Sequence, residues 1–231
     1  MKKTTISATK IEPEIDWAEI DTVLLDMDGT LLDKHFDDYF WETHVPEVYA
    51  AKNKINPLQA EEDLLALYKA EEGRLNWTDL DFWSDKLGLD LATMKEALNH
   101  LIVVHPYVCE FLEFCRSQNK DVHLVTNAHP KTLAIKMAKT GLTAEFTSII
   151  CADELGLAKE EDGFWESLAS RLEFAKDRCL LADDNEAVLE AAHRFGLDHL
   201  VFVSKSSSRK PVRHSGKFPS IIFFKELLPE E

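Results

Sequence analysis

The 231-residue chain carries a formal net charge of −16, with 45% hydrophobic and 29% charged residues. This composition suits a globular protein built as one domain with a sizeable insertion, or as two small domains. The negative charge repels nucleic-acid phosphates over most of the surface, and no run of about 18 apolar residues offers a transmembrane helix, so neither nucleic acid nor membrane is expected as a partner. A small anionic substrate needs a local cationic site in such a field, which a metal ion held by carboxylates supplies.

The opening stretch MKKTTISATKIEPEID has no apolar segment behind its lysines, so it does not read as a secretory signal, and a cytoplasmic protein is expected. Residues 1–20 read as a tail leading into the first strand. Val23, Leu24 and Leu25 in DTVLLD (21–26) form a short apolar run, as in a strand buried on both faces. From about Lys34 to His105 the spacing becomes helical. AEEDLLALYKAEEGRL, LDFWSDKLG and ATMKEALNHLIVV each carry apolar residues at i, i+3 and i+4. The same stretch holds Phe36, Phe40, Trp41, Trp77, Phe82 and Trp83, whose helical spacing predicts core packing for most of them.

After His105-Pro106, strands and helices alternate. YVCEFLEFCRSQ is a predicted helix and DVHLVT a strand; PKTLAIKMAKTG is a helix capped by Gly141, and FTSIIC a strand. EDGFWESLASRLEF is a helix, RCLLAD a strand, NEAVLEAAHRFG a helix ending on Gly196, and HLVFVS a strand. This order predicts an α/β fold with a parallel sheet and helices on both faces. Residues 204–217, SKSSSRKPVRHSGK, read as a solvated loop before a final SIIFFKELL segment. The four cysteines, Cys109, Cys115, Cys151 and Cys179, have no metal-ligand spacing and read as reduced, mostly buried thiols.

Ligands of open parallel sheets bind beyond the carboxyl ends of the strands. There the first strand delivers Asp26 and Asp28, the second Thr126 and Asn127, and the fourth Asp183 and Asp184, while Lys159 follows the third. Two carboxylates one residue apart repel each other unless a hard cation sits between them, and Mg²⁺ takes such oxygen ligands. Gly29 permits a tight turn whose N–H groups can face a phosphate. Singly, these features have plain structural explanations: an Asp pair or Asp-Asp-Asn caps a helix, Thr-Asn makes a turn, and a loop lysine is solvated. Their joint appearance at successive strand ends is what those explanations leave over.

DMDGT (26–30), LVTN (124–127), Lys159 within GLAKEEDGFW, and LADDNEAV (181–188) resemble the four motifs of the haloacid dehalogenase superfamily of phosphatases, over about residues 21–203. FDDYFW, LDFWSDKLGLD and LVTNAHP are further similar to the bacterial GMP/IMP nucleotidase branch. The resemblance implies a three-layer Rossmann-like core, residues 1–33 and 106–231, with an all-helical cap inserted at 34–105. It implies a Mg²⁺-dependent phosphatase of purine 5′-nucleotides. Asp26 would be the nucleophile and Asp28 the general acid and base. Thr126, with Asn127 beside it, would bind the phosphoryl group, and Lys159 would stabilise its charge. Asp26, the backbone carbonyl of Asp28, and Asp184 would hold the metal, with Asp183 a ligand or a neighbour of one.

Many members place proline after the motif lysine. Glu160 stands there in this chain, which leaves Lys131 as a second candidate. Phe36, where the cap hinge falls, is the candidate to stack on a base; Lys34, Asp37, Asp38 and Asn53 are possible partners of its edge, and His129 is a further residue near the site. Two other readings stand beside this one: a sugar-phosphate phosphatase or mutase on the same core, and a non-enzymatic module that accepts phosphate on aspartate.

Overall fold

The structure is a computed structural model that describes residues 9–72 and 74–229. Among the described residues, six strands form one wholly parallel sheet. They are β1 (Thr22–Leu25), β2 (Asp121–Thr126), β3 (Ser148–Cys151), β4 (Cys179–Asp183), β5 (His199–Val203) and β6 (Ser220–Ile221). Their order across the sheet is β3-β2-β1-β4-β5-β6, so β1 is central, with Val23 in register with Val122 on one side and Leu180 on the other.

Alternation along the central strands builds the two faces. Val23, Leu25, Leu124, Leu180 and Ala182 enter one apolar cluster, which α6 (Val108–Ser117) covers through Val108, Phe111, Leu112 and Cys115, and α7 (Pro130–Thr140) through Met137. Leu24, Val125, Leu181 and Phe202 point the other way, under Phe164, Trp165 and Leu168 of α8 (Phe164–Leu172) and Val188 and Leu189 of α9 (Glu186–Phe195). Because both faces are covered, the strands need no polar alternation, which is why they appear in the sequence as continuous apolar runs. Gly141 and Gly196 end α7 and α9 at positive φ.

Between β1 and α6 the described chain is helical. α1 (His35–Tyr39) passes through a π-helical turn, Phe40–His44, into α2 (Val45–Asn53); α3 (Pro57–Glu71), α4 (Leu80–Leu87) and α5 (Leu91–Ala97) follow. Asn56, Asp79 and Asp90 cap α3, α4 and α5 with their side chains. These helices close on an apolar cluster of their own: Phe40, Val45, Leu64, Tyr68, Leu80, Trp83, Leu87, Leu89 and Leu91. Trp83 is its centre. It is fully buried, meets Tyr68 edge-on at 5.0 Å, and donates its indole N–H to the Trp77 carbonyl.

Three segments differ from the sequence expectation. The tail is docked where described: Trp17 packs against Phe111 and Phe114 and donates to the Leu227 carbonyl, and Lys10 pairs with Glu226. Its first eight residues lie outside the described part. The Ile-Val-Val after α5 is extended rather than helical, because Val104 bridges Leu32 and Asp33 donates its N–H to the Val103 carbonyl where the chain re-enters the sheet domain. Residues 204–217 are not simply solvated. Ser204, Ser207 and Ser215 are buried; Ser215 Oγ accepts from the Lys217 and Phe218 amides, and Ser204 Oγ bonds to His214 Nδ1. The final segment contributes β6 and a 3₁₀ turn, Phe224–Leu227. Three cysteines are buried and Cys109 is exposed, all free. Among the described residues no helix is long and apolar enough to cross a membrane.

Replacing Trp83 by Ala empties the centre of the helical cluster. The expected cost is about 3–5 kcal/mol, seen as a lower urea midpoint by far-ultraviolet circular dichroism; an unchanged midpoint would show that the insert does not depend on this ring.

Candidate active site

The carboxyl ends of β1, β2 and β4 meet the loop after β3 at one edge of the sheet, at the strand-order switch around β1. Here a cavity of about 320 Å³ opens between this edge and the inserted helices. Asp26, Asp28, Thr126, Asn127, Lys159, Asp183 and Asp184 all line it.

Asp26 extends the β1–β4 ladder by donating its N–H to the Ala182 carbonyl, which fixes the side chain over the strand end. Its Oδ1 lies 2.6 Å from Lys159 Nζ, which also meets Asp183 Oδ2 at 2.7 Å and the Val125 carbonyl at 3.1 Å. Burial alone would lower the pKa of Lys159, but Asp183 and Asp26 together raise it, so the lysine stays charged. Burial raises Asp183 to about 8, with Asp26 and Asp184 adding repulsion and Lys159 opposing. Asp184 is raised too, first by burial; Lys34 offsets part of this from 3.1 Å.

Asp28 points elsewhere. Its Oδ1 contacts Lys136 of α7, not the other strand-end carboxylates. Burial pushes its pKa up to about 6, with Asp37 and Asp26 adding and Lys136 opposing. Lys136 also holds Asp37 Oδ2, and Lys95 of α5 holds Asp37 Oδ1 at 2.6 Å. Burial would raise the pKa of Asp37, but Lys136 and Lys95 outweigh it and hold the carboxyl well below the usual range.

Thr126 Oγ1 accepts from the Ala128 amide. Asn127 Oδ1 accepts from the Lys159 amide, while its Nδ2 donates to Glu160; the other Glu160 oxygen accepts from Asn185 Nδ2. Lys131, the second candidate for the motif lysine, pairs with Asp81 at the surface and lies outside the cavity lining. His129 lines the cavity and caps α7, accepting from the Lys131 amide. The structure does not bring Phe36 to the cavity. The ring is 1% exposed in the core, with Lys95 at 4.9 Å and Lys136 at 5.3 Å over its face. Asn53 is exposed at the end of α2 and is not in the lining either, whereas Lys34, Asp37 and Asp38 are. Trp41, Tyr68 and Trp77 supply the aromatic wall instead.

Gly29 has φ +92°, and a Cβ there would lie 2.3 Å from Asp184 Oδ2. The glycine makes room for that carboxylate. Its N–H does not face the cavity; it donates to the Leu32 carbonyl at 2.7 Å.

Oxygens of Asp26, Asp183 and Asp184 lie within 4.8 Å of one another. Three converging carboxylates are a donor set for a hard divalent cation. A parallel sheet carrying this edge under a helical insert defines a hydrolase of the haloacid dehalogenase-like type. The chain belongs to that family, whose model matches residues 20–196. Over 215 residues, 93% of this chain and 97% of the other, it is 38% identical to the GMP/IMP nucleotidase YrfG of Escherichia coli. Among solved structures, a HAD phosphatase from Thermococcus onnurineus matches with a TM-score of 0.76 at 22% identity, over 90% of this chain and 96% of that one. A putative beta-phosphoglucomutase from Thermotoga maritima matches with a TM-score of 0.60 at 18% identity, over 86% and 89%.

Replacing Gly29 by Ala should displace Asp184 and strain the turn. Catalytic activity is expected to fall on the order of 10²-fold, the scale of an ångström-sized misplacement, with the circular dichroism spectrum retained. Wild-type kinetics in this variant would show that the turn tolerates a side chain.

Proposed function

We propose that the protein is a Mg²⁺-dependent phosphomonoesterase that hydrolyses purine 5′-nucleotides, GMP and IMP, through a phosphoryl group carried on Asp26. The observation that carries the chemistry is the separate pairing of the two motif aspartates. Asp26 is held by the charged Lys159, which it shares with Asp183, while Asp28 is raised to about 6, as suits a group that must give a proton and take one back. The substrate class is supported by the 38% identity to a GMP/IMP nucleotidase over nearly the whole of both chains.

Lys159 holds Oδ1 of Asp26, leaving Oδ2 to attack phosphorus. As the ester P–O bond breaks, Asp28 protonates the departing alcohol. Asp28 then takes a proton from water, which attacks the phosphoryl group on Asp26 and releases phosphate. Thr126 donates its hydroxyl to a phosphoryl oxygen, and Lys159 offsets the charge of the group in transfer. Asp26, Asp183 and Asp184, with the backbone carbonyl of Asp28, would hold Mg²⁺. When bound, the ion supplies positive charge against both the carboxylates and the phosphate dianion.

The helical insert supplies the other end of the cavity. Trp77 is 39% exposed and lines the cavity with Trp41 and Tyr68; its ring stands edge-on to Tyr68 at 6.2 Å, so its own indole face is the apolar surface offered to a purine. Asp38 and Glu42 also line this region and can accept from purine N–H groups. A 6-oxopurine presents an N1–H donor to such a carboxylate and AMP does not. The free cysteines fit the cytoplasmic location that goes with this reading.

The test is kcat/KM for IMP, GMP, AMP, UMP and glucose 6-phosphate, with Mg²⁺ and with chelator. IMP and GMP should lead the rest by at least about tenfold, and chelator should stop turnover. Equal turnover of glucose 6-phosphate would replace the nucleotide reading with the sugar-phosphate one, and full activity in chelator would end the metal reading. Asp26→Ala should abolish turnover.

Trp77→Ala tests the aromatic wall. Loss of a base-stacking surface should raise KM for IMP about tenfold with kcat nearly unchanged; an unchanged KM would place the base elsewhere.

A further inference from the structure

Lys136 has no evident reason to be a lysine. It is 1% exposed, buried in the middle of α7, and absent from the cavity lining, so it touches no substrate. Burying an ammonium costs several kcal/mol, and apolar side chains of similar volume often serve such positions as well or better. Stability alone does not call for the charge.

What lysine does here, and an apolar residue cannot, is hold two carboxylates at once. Nζ lies 2.5 Å from Asp28 Oδ1, at the end of β1, and 2.5 Å from Asp37 Oδ2, on the first helix of the insert. The other oxygen of Asp37 is held by Lys95 of α5, whose ammonium sits over the Phe36 and Phe40 rings at 4.9 and 4.8 Å. Asp28, Lys136, Asp37 and Lys95 therefore form a ladder of alternating charge. It runs from the strand end, through a helix of the sheet domain, into the interior of the insert.

We propose that Lys136 is a positioning residue for proton transfer: by holding Oδ1 of Asp28 it fixes the carboxyl so that the second oxygen faces the leaving group, and Asp37 and Lys95 fix Lys136 in turn to the seat of the helical insert. This rests on the reading of Asp28 as acid and base given above. In the step concerned, the ester P–O bond breaks, the bond from phosphorus to Asp26 forms, and the alcohol oxygen takes the proton of Asp28. An Asp28 free to rotate would leave Asp26 and Lys159 intact and impair only that proton transfer.

The experiment compares two esters. The group that leaves IMP is inosine, a poorly acidic alcohol that needs the proton; the group that leaves 4-nitrophenyl phosphate is an acidic phenol that departs as its anion. The parameter is kcat/KM, which covers the steps through departure of the leaving group and excludes the later hydrolysis at Asp26. In Lys136→Met, kcat/KM for IMP should fall about 10²-fold, the low end of what general acid catalysis contributes, and that for 4-nitrophenyl phosphate by less than about threefold. Lys136→Arg should restore part of the ratio between the esters. Asp37→Asn, which removes the second anchor of Lys136, should show the same selective loss at about tenfold; because Asp37 also lines the cavity, the loss must appear as well on glycerol 2-phosphate, an alkyl ester without a base, and with that ester Asp37→Asn carries the test if Lys136→Met does not fold.

Equal losses on both esters, or none, in Lys136→Met and Asp37→Asn would overturn the proposal while leaving the phosphatase reading intact. Failure of the wild type to hydrolyse either ester would overturn both.

Discussion

The crowding of carboxylates at one buried edge is the constraint from which the rest of the molecule follows. Asp26, Asp28, Asp37, Asp183 and Asp184 line a single cavity, and each is in direct ion contact with at least one of four lysines, Lys34, Lys95, Lys136 and Lys159. With every group ionised the cluster carries one net negative charge. A divalent cation and a phosphate dianion bring equal and opposite charge, so binding the two together leaves that balance as it was. The lysines therefore offset most of the carboxylate charge without neutralising the cluster.

These four lysines come from four different places: the loop after β3, α7, the hinge after β1, and α5. Satisfying the carboxylates consequently ties the insert to the sheet domain electrostatically, in addition to the packing. The backbone adds its own ties. Lys34 donates its N–H to the Ser206 carbonyl, which His105 also approaches with Nε2, so the loop after β5 contacts both the outgoing and the returning crossing of the chain. Ser208 donates to Asp33 Oδ1 beside them. On the far side of the cavity, Thr78 of the insert donates to the Asn127 carbonyl, and Lys131 pairs with Asp81. The insert is seated at both ends of the cavity.

The sheet and its strand-end residues were legible because both signals are local. A strand buried on two faces must be an apolar run, and the polar residues that close such runs fall at one edge by topology alone. The lysines on helices were not legible. Lys136 in PKTLAIKMAKT and Lys95 in LATMKEA sit among exposed-looking polar positions, and nothing local distinguishes a lysine that will meet a buried carboxylate from one that meets water. Phe36 departs from the sequence expectation for the complementary reason. Its position next to the motif suggested the cavity, but its ring serves as the apolar floor on which the ammonium groups of Lys95 and Lys136 rest. The buried serines between β5 and β6 are not legible because a Ser-rich, basic stretch has the composition of a solvated loop; Ser204 and Ser215 are held by hydrogen bonds within the loop that composition does not encode.

Glu160 shows how a departure from a motif is absorbed by its surroundings. Proline after Lys159 would restrict the backbone of that loop directly. Here the backbone is fixed from outside: the Lys159 amide donates to Asn127 Oδ1, and its carbonyl accepts from the Trp165 indole. The Glu160 carboxylate accepts from Asn127 after β2 and from Asn185 after β4, so one side chain links three strand-end loops. A proline would hold the lysine but could not join those loops. The carboxylate joins them, at the cost of one more negative charge beside the cavity. That charge faces two side-chain amides rather than the Asp26 pair, so it is satisfied without drawing on Lys159. Hydrogen bonds to neighbouring segments thus hold the backbone of Lys159 at both its amide and its carbonyl, with its ammonium against Asp26 and Asp183.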